Sequence, residues 1–150
     1  MAALQIKNFH KLSRYVTNLI SVDHFTCLLI DDDIDDQEIF CTVIDAIAPS
    51  WKCVTAVNGQ NALGMLRSKE VSPDIIFLDL NMPLMNGRQF LQEINRQKII
   101  DDIPVIVLTT SADQSTKTAI LELGAKHFIT KPDRFSEWER VLKQFVENPR

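Results

Sequence analysis

The stretch Ile75-Ile76-Phe77-Leu78-Asp79-Leu80-Asn81-Met82-Pro83 decides the fold of this 150-residue chain. Four consecutive apolar residues read as a strand buried on both faces, as in a parallel sheet. A carboxylate closes the strand, and Asn81-Met82-Pro83 and then Asn86-Gly87 follow it. Open α/β sheets place their chemistry at such carboxyl ends of strands. Other candidate strands end in comparable groups. Thr26-Cys27-Leu28-Leu29-Ile30 runs into Asp31-Asp32-Asp33, and Pro104-Val105-Ile106-Val107-Leu108 runs into Thr109-Thr110. His127-Phe128-Ile129-Thr130 ends in Lys131-Pro132. Three acids, one hydroxyl and one lysine therefore converge on one sheet edge. The set suits phosphoryl transfer around a magnesium ion.

Strand and helix patterns alternate from Thr26 onward, which predicts βαβ units and a parallel sheet. Asp35 or Asp36 is placed to cap a helix through about Ile47, with Ile39, Val43, Ile44 and Ile47 as its inner stripe. Pro49-Ser50 breaks it, and Trp51 to Val57 reads as the second strand. Asn58-Gly59 starts a helix through Arg67, and another runs from about Arg88 to Asn95. Ser111 with Gln114 resembles a capping box for the next helix, which Gly124 ends. The last helix begins near Arg134 and reaches about Glu147. Its stripe of Phe135, Trp138, Val141, Leu142, Phe145 and Val146 is wider than one buried face needs. Five strands and five helices with right-handed crossovers give a doubly wound three-layer α/β/α sandwich in flavodoxin-like strand order.

Five features stand in one order: the acid cluster, the lone Asp79, the Met82-Pro83 turn, Thr109 and Lys131-Pro132. Over about residues 25 to 148 this pattern resembles the receiver domain of two-component response regulators, of the single-domain, chemotaxis type. The resemblance implies a (βα)5 receiver fold in which Asp79 is the phosphoacceptor for a phosphohistidine of a sensor histidine kinase or a histidine phosphotransfer protein. It implies Mg²⁺ bound by Asp32 and Asp79, by the backbone carbonyl of Asn81, and by Asp31 through a water. Thr109 and Lys131 would contact phosphoryl oxygens, and Thr109 with Phe128 would form the switch. Phe128 lacks the hydroxyl of the Tyr often found there. The Lys131-Pro132 bond is expected to be cis. Asn81 and Ser111, two positions after the acceptor and the hydroxyl, are small and polar, so neither commits the chain to very fast or very slow dephosphorylation.

Length and apolar content fit one ordinary domain with a core, expected over residues 25–150 after an N-terminal extension of residues 1–24. In that extension Phe9, Leu12, Val16 and Leu19 recur at helical spacing, with Lys7, Lys11 and Arg14 against Asp23 alone. Docking on the receiver, dimerisation, a partner contact and a frayed extension all stay open. The remainder is more acidic than the net charge of −4 suggests. An acidic domain without a basic stripe argues against nucleic-acid binding. No stretch approaches the length of a membrane span and no signal peptide stands at the start, so a cytoplasmic location is expected. Cys27, Cys41 and Cys53 are far apart and lack Cys-x-x-Cys, which predicts buried, reduced thiols, with Cys27 and Cys53 on neighbouring strands.

The expected function is a stand-alone receiver of a phosphorelay that switches a protein-binding surface, as a monomer or a weak phosphorylation-dependent homodimer. An unknown downstream protein would read it. It would be no enzyme in the turnover sense, catalysing only its own phosphorylation and dephosphorylation. The alternatives are a relay intermediate or sink, a degenerate scaffold receiver, and a Mg-dependent aspartate phosphatase. The last is disfavoured, since Asp31-Asp32-Asp33-Ile34 imitates its Asp-x-Asp nucleophile poorly. A flavodoxin is set aside because three aspartates after the first strand would repel a flavin phosphate.

Two carboxylates about 4 Å apart repel by about 4 kcal/mol at an effective dielectric of about 20. The acid cluster is therefore expected to store strain without metal. Mg²⁺ should raise the melting temperature, and Asp79→Ala should stabilise the metal-free fold. An unchanged or lowered melting temperature in that mutant would contradict a clustered geometry.

Overall fold

The computed structural model describes residues 24–110 and 112–149. The helical stripe of Phe9, Leu12, Val16 and Leu19 and both roles assigned to Ser111 lie outside the described residues. The strands are β1 (Thr26–Ile30), β2 (Lys52–Ala56), β3 (Ile75–Asp79), β4 (Val105–Thr109) and β5 (His127–Thr130). Between and after them lie α1 (Ile34–Ile47), α2 (Gly59–Arg67), α3 (Gly87–Gln97), α4 (Gln114–Glu122) and α5 (Phe135–Glu147). All strand pairs are parallel, in the order β2-β1-β3-β4-β5. That is the doubly wound, flavodoxin-like order the alternation predicts.

The inner strands β1, β3 and β4 are largely apolar because both faces of the sheet are covered there. Leu28, Ile30, Ile76, Leu78, Val105 and Val107 point into one core with α2, α3 and α4. Cys27, Leu29, Ile75, Phe77, Ile106 and Leu108 point into the other, against α1 and α5. Side chains alternate across a strand, so one run of apolar residues serves two cores. On the second side Phe40 lies at the centre, edge-on to Phe77 at 4.9 Å and to Trp138 at 6.0 Å between ring centroids.

Helix starts are where the sequence reading needs most correction. Asp33, not Asp35 or Asp36, caps α1, accepting from the N–H groups of Asp35 and Asp36. Asp113 caps α4, accepting from the Thr116 N–H. Asn58 caps α2 as expected, and Asn86 with Gln89 forms a capping box at α3. The inner face of α1 carries Gln37, Phe40, Val43 and Ile44; Ile39 and Ile47 sit at its margin, partly buried. Trp138, Val141, Leu142 and Phe145 are buried in α5, whereas Phe135 is half exposed, which accounts for the extra width of its stripe. Gly124, with φ of +97°, takes the left-handed turn that ends the α4 segment.

Two further expectations fail. The Lys131–Pro132 bond is trans, like every described peptide bond, in line with the ordinary preference of X-Pro bonds. Cys41 and Cys53 form a disulfide with a Cα–Cα separation of 5.8 Å, and only Cys27 remains a buried free thiol. Cys27 does pair with Cys53 in register across β1 and β2. Its thiol is nevertheless not the partner, because α1 lays Cys41 over the β2 edge.

Phe40→Ala would remove the aromatic centre of the α1–α5 core. A loss of about 3–5 kcal/mol is expected, seen as a lowered denaturation midpoint with an unchanged slope.

Candidate functional site

The carboxyl ends of β1, β3, β4 and β5 bring Asp31, Asp79, Thr109 and Lys131 to one edge of the sheet. Asp31 follows β1 directly and is tied down by its backbone N–H, which donates to the Ala56 carbonyl at 3.0 Å. Its carbonyl accepts from the Gln37 side-chain amide at 2.6 Å, and its Oδ1 accepts from the Asp33 N–H at 3.0 Å. The loop is thus folded by its own acids. Asp32, between them, stays exposed.

Asp79 closes β3 and is 5% exposed. The Asn81 N–H donates to its Oδ1 at 3.4 Å. The turn beyond returns closely on the strand: the Gly87 N–H donates to the Leu80 carbonyl at 3.0 Å. A Cβ at Gly87 would stand 2.5 Å from the Asp79 carbonyl oxygen, so glycine alone lets α3 begin there. Within this turn Leu84 holds φ of +65° and is 80% exposed. A leucine in that conformation costs roughly 1–2 kcal/mol.

Lys131 is the hub of the site. Its Nζ lies 2.7 Å from Asp31 Oδ2, 2.8 Å from Asp36 Oδ2 and 3.5 Å from Asp79 Oδ2. Its backbone N–H donates to the Thr109 carbonyl at 2.8 Å, which fixes the lysine to the end of β4. Thr109 is fully buried, and Phe128 is half buried with Lys117 Nζ 5.4 Å from its ring centroid.

Asp31, Asp32 and Asp79 each offer a carboxylate oxygen, all within 4.8 Å of one another. Burial raises the Asp31 and Asp79 carboxyls, Asp79 to about 6, with the Lys131 ammonium opposing; the charge of Asp36 adds to the rise at Asp31, and those of Asp31 and Asp32 add to it at Asp79. For Lys131 burial acts downward, but its hydrogen bonds to Asp31 and Asp36 outweigh it and the ammonium is held charged. One ammonium therefore faces several carboxylates. This hard, all-oxygen donor set with excess negative charge fits a small divalent cation such as Mg²⁺.

Of the residues singled out in the sequence, Asp31, Asp32, Asp79, Thr109 and Lys131 meet at this edge. Asn81 borders them with its side chain exposed, and Phe128 lies beneath, on β5. Asp36 and Gln37 join this edge as well, although the sequence marks Asp36 only as a helix start and gives no sign for Gln37. Their signal is positional, since the first turn of the helix after the acid cluster must pass over the same edge.

Asp79 gives the metal-free fold a pH dependence of definite sign. Between its ordinary value of 3.8 and about 6, the folded chain holds a proton that the unfolded chain has released. Stability then falls as pH rises through that window. Relative to Asp79→Asn, the wild-type melting temperature should drop from pH 4 to about pH 6 and level off above it. A constant difference across the range would place Asp79 in an ordinary solvated setting.

The family model described as "Response regulator receiver domain" matches residues 27–143. A protein-glutamate methylesterase/protein-glutamine glutaminase of Treponema pallidum is 42% identical over 107 residues, which cover 70% of this chain and 26% of that protein. The probable C4-dicarboxylate response regulator DctR of Bacillus subtilis is 36% identical over 120 residues, 80% of this chain and 51% of DctR. The chain thus spans about half or less of the length of these curated relatives. Among solved structures, the phosphorylated cyanobacterial phytochrome response regulator RcpA superposes with a TM-score of 0.76 at 29% identity, covering 83% of this chain and 92% of that one. The Mn²⁺-bound form of response regulator Rcp1 gives 0.73 at 26% identity, covering 82% and 92%. With its five-stranded parallel sheet and the acids, threonine and lysine gathered at one edge, the chain belongs to the response regulator receiver domain family.

Proposed function

We propose that Asp79 accepts a phosphoryl group from a phosphohistidine of a sensor histidine kinase or a histidine phosphotransfer protein, and that this switches a protein-binding surface. The observation that carries the reading is the setting of Asp79. A strand-end carboxylate, 5% exposed, stands 3.5 Å from the Lys131 ammonium and within 4.8 Å of Asp31 and Asp32 oxygens.

In the transfer an Asp79 carboxylate oxygen bonds to phosphorus, and the bond from phosphorus to the imidazole nitrogen breaks. An acyl phosphate replaces a phosphoramidate. Such a transfer asks the protein for position and for compensation of charge on the equatorial oxygens. Lys131 supplies one positive charge, already buried and oriented by Asp31 and Asp36. A phosphoryl group on Asp79 would compete with those two carboxylates for the ammonium. Thr109, at the end of β4, would donate its hydroxyl to a second phosphoryl oxygen. Mg²⁺, held by Asp31, Asp32, Asp79 and the Asn81 carbonyl, would supply charge neutralisation during the transfer.

The switch would run through Thr109 and Phe128. Phe128 is half buried on β5 and has no hydroxyl to fix an inward state, so packing alone would hold it. Its ring shares β5 with the route to α5, where the half-exposed Phe135 adds apolar surface. Downstream contact, or a weak phosphorylation-dependent dimer, would use β5 and the flanking α4 and α5. No helix among the described residues is long and apolar enough to cross a membrane, which fits a cytoplasmic switch. We read the chain as a receiver whose output runs through protein contact or phosphate relay. It would turn over no external phosphate ester.

Intact mass after incubation with Mg²⁺ and acetyl phosphate tests the reading. A phosphoryl-sized gain is expected, absent from Asp79→Asn and absent without Mg²⁺. A gain that persists in Asp79→Asn would move the acceptor elsewhere, and failure to bind Mg²⁺ would favour a scaffold. Sedimentation that is unchanged by phosphorylation would remove the dimer.

A further inference from the structure

The Cys41–Cys53 pair joins α1 to β2, twelve residues apart in sequence and 5.8 Å apart at Cα. Both residues are partly exposed, at the rim of the sheet where, among the described residues, β2 has β1 as its sole neighbour. Cys27, opposite Cys53 in register, is 0% exposed. We propose that Cys41 and Cys53 form a reversible thiol–disulfide site, closed by small-molecule disulfides and opened by dithiols, that fastens α1 to the sheet edge.

The exchange needs no group beyond these two sulfurs and a disulfide such as oxidised glutathione. One protein thiolate attacks a sulfur of the small disulfide, forming a mixed disulfide and expelling one thiolate. The second protein thiolate attacks the protein-bound sulfur and expels the other. Two protein thiols are oxidised and one disulfide is reduced to two thiols. Partial exposure admits the attacking reagent to Cys41 and Cys53. Burial excludes it from Cys27 and pushes that thiol up to about 12, so Cys27 offers almost no thiolate.

The helix being fastened is the one that reaches the acid edge. Cys41 lies one turn beyond Gln37, whose amide donates to the Asp31 carbonyl at 2.6 Å, and α1 also carries Asp36 to Lys131. The closed bond shortens the chain's freedom in the unfolded state and restrains α1 in the folded one. The inference goes beyond the receiver reading and requires no phosphoryl transfer.

The test treats the full chain with oxidised glutathione or with dithiothreitol, then counts alkylatable cysteines by mass after denaturation and maps the cross-linked peptides. One alkylatable thiol is expected in the oxidised chain, three in the reduced, interconverting without unfolding. The oxidised chain should melt about 5 °C or more higher, with slower amide exchange across residues 34–47. Cys41→Ser and Cys53→Ser should each abolish both differences, so failure of one variant to fold leaves the other as control. Three alkylatable thiols after oxidation, a cross-link containing Cys27, a bond that opens only on unfolding, or equal melting in both states would overturn the proposal.

Discussion

The Lys131 ammonium, held among Asp31, Asp36 and Asp79, is the interaction on which the site depends. Three strands and one helix must end at the same edge for these four side chains to meet. β1 brings Asp31, β3 brings Asp79, β5 leads into Lys131, and α1 carries Asp36 back over them. A lysine buried without partners would lose its charge, and carboxylates buried without a cation would hold protons. The ammonium and the carboxylates offset one another's charge here, but the count is unequal. The surplus negative charge makes the edge receptive to a divalent cation and keeps Asp79 close to the border between its charged and neutral forms.

The rest of the fold holds that edge still. The apolar faces of β1, β3 and β4 are buried on both sides, so the strand ends cannot shift without disturbing two cores at once. Loops beyond the strands are then pinned by local hydrogen bonds. Asp33 closes the β1–α1 turn and Asn86 with Gln89 closes the start of α3, while Gly87 allows the chain to pass against Asp79. Beside the site, strain is admitted at Leu84, in the turn after Asp79. Where the core ends, function-bearing residues begin. That division explains why the same short segments carry both helix caps and site carboxylates.

Much of this was legible in the residues. Strand type and order of elements follow from uninterrupted apolar runs alternating with helical stripes, because burial on both faces leaves that mark in any parallel strand. Asp31, Asp79, Thr109 and Lys131 were legible for the same reason: each stands where an apolar run stops. Helix caps were less so. In the run Asp31 to Asp36 any of several acids could have capped α1, and the local competition was settled by the φ and ψ of Asp33. Phe40, rather than the adjacent Ile39, faces the sheet, because helix phase and not hydrophobicity chooses between two neighbouring apolar residues.

By itself the sequence determined the doubly wound sheet and the edge at which its polar residues gather, since both depend on patterns a few residues long. Tertiary structure alone decided which acids the lysine would hold. Asp36 reaches Lys131 across 95 residues of chain, and its part depends on the phase of α1 relative to β5. The Cys41–Cys53 bond was likewise invisible, because it depends on α1 overhanging the β2 edge. Side-chain partners separated by whole elements are fixed by packing angles, and those are set by the assembled core rather than by any one segment.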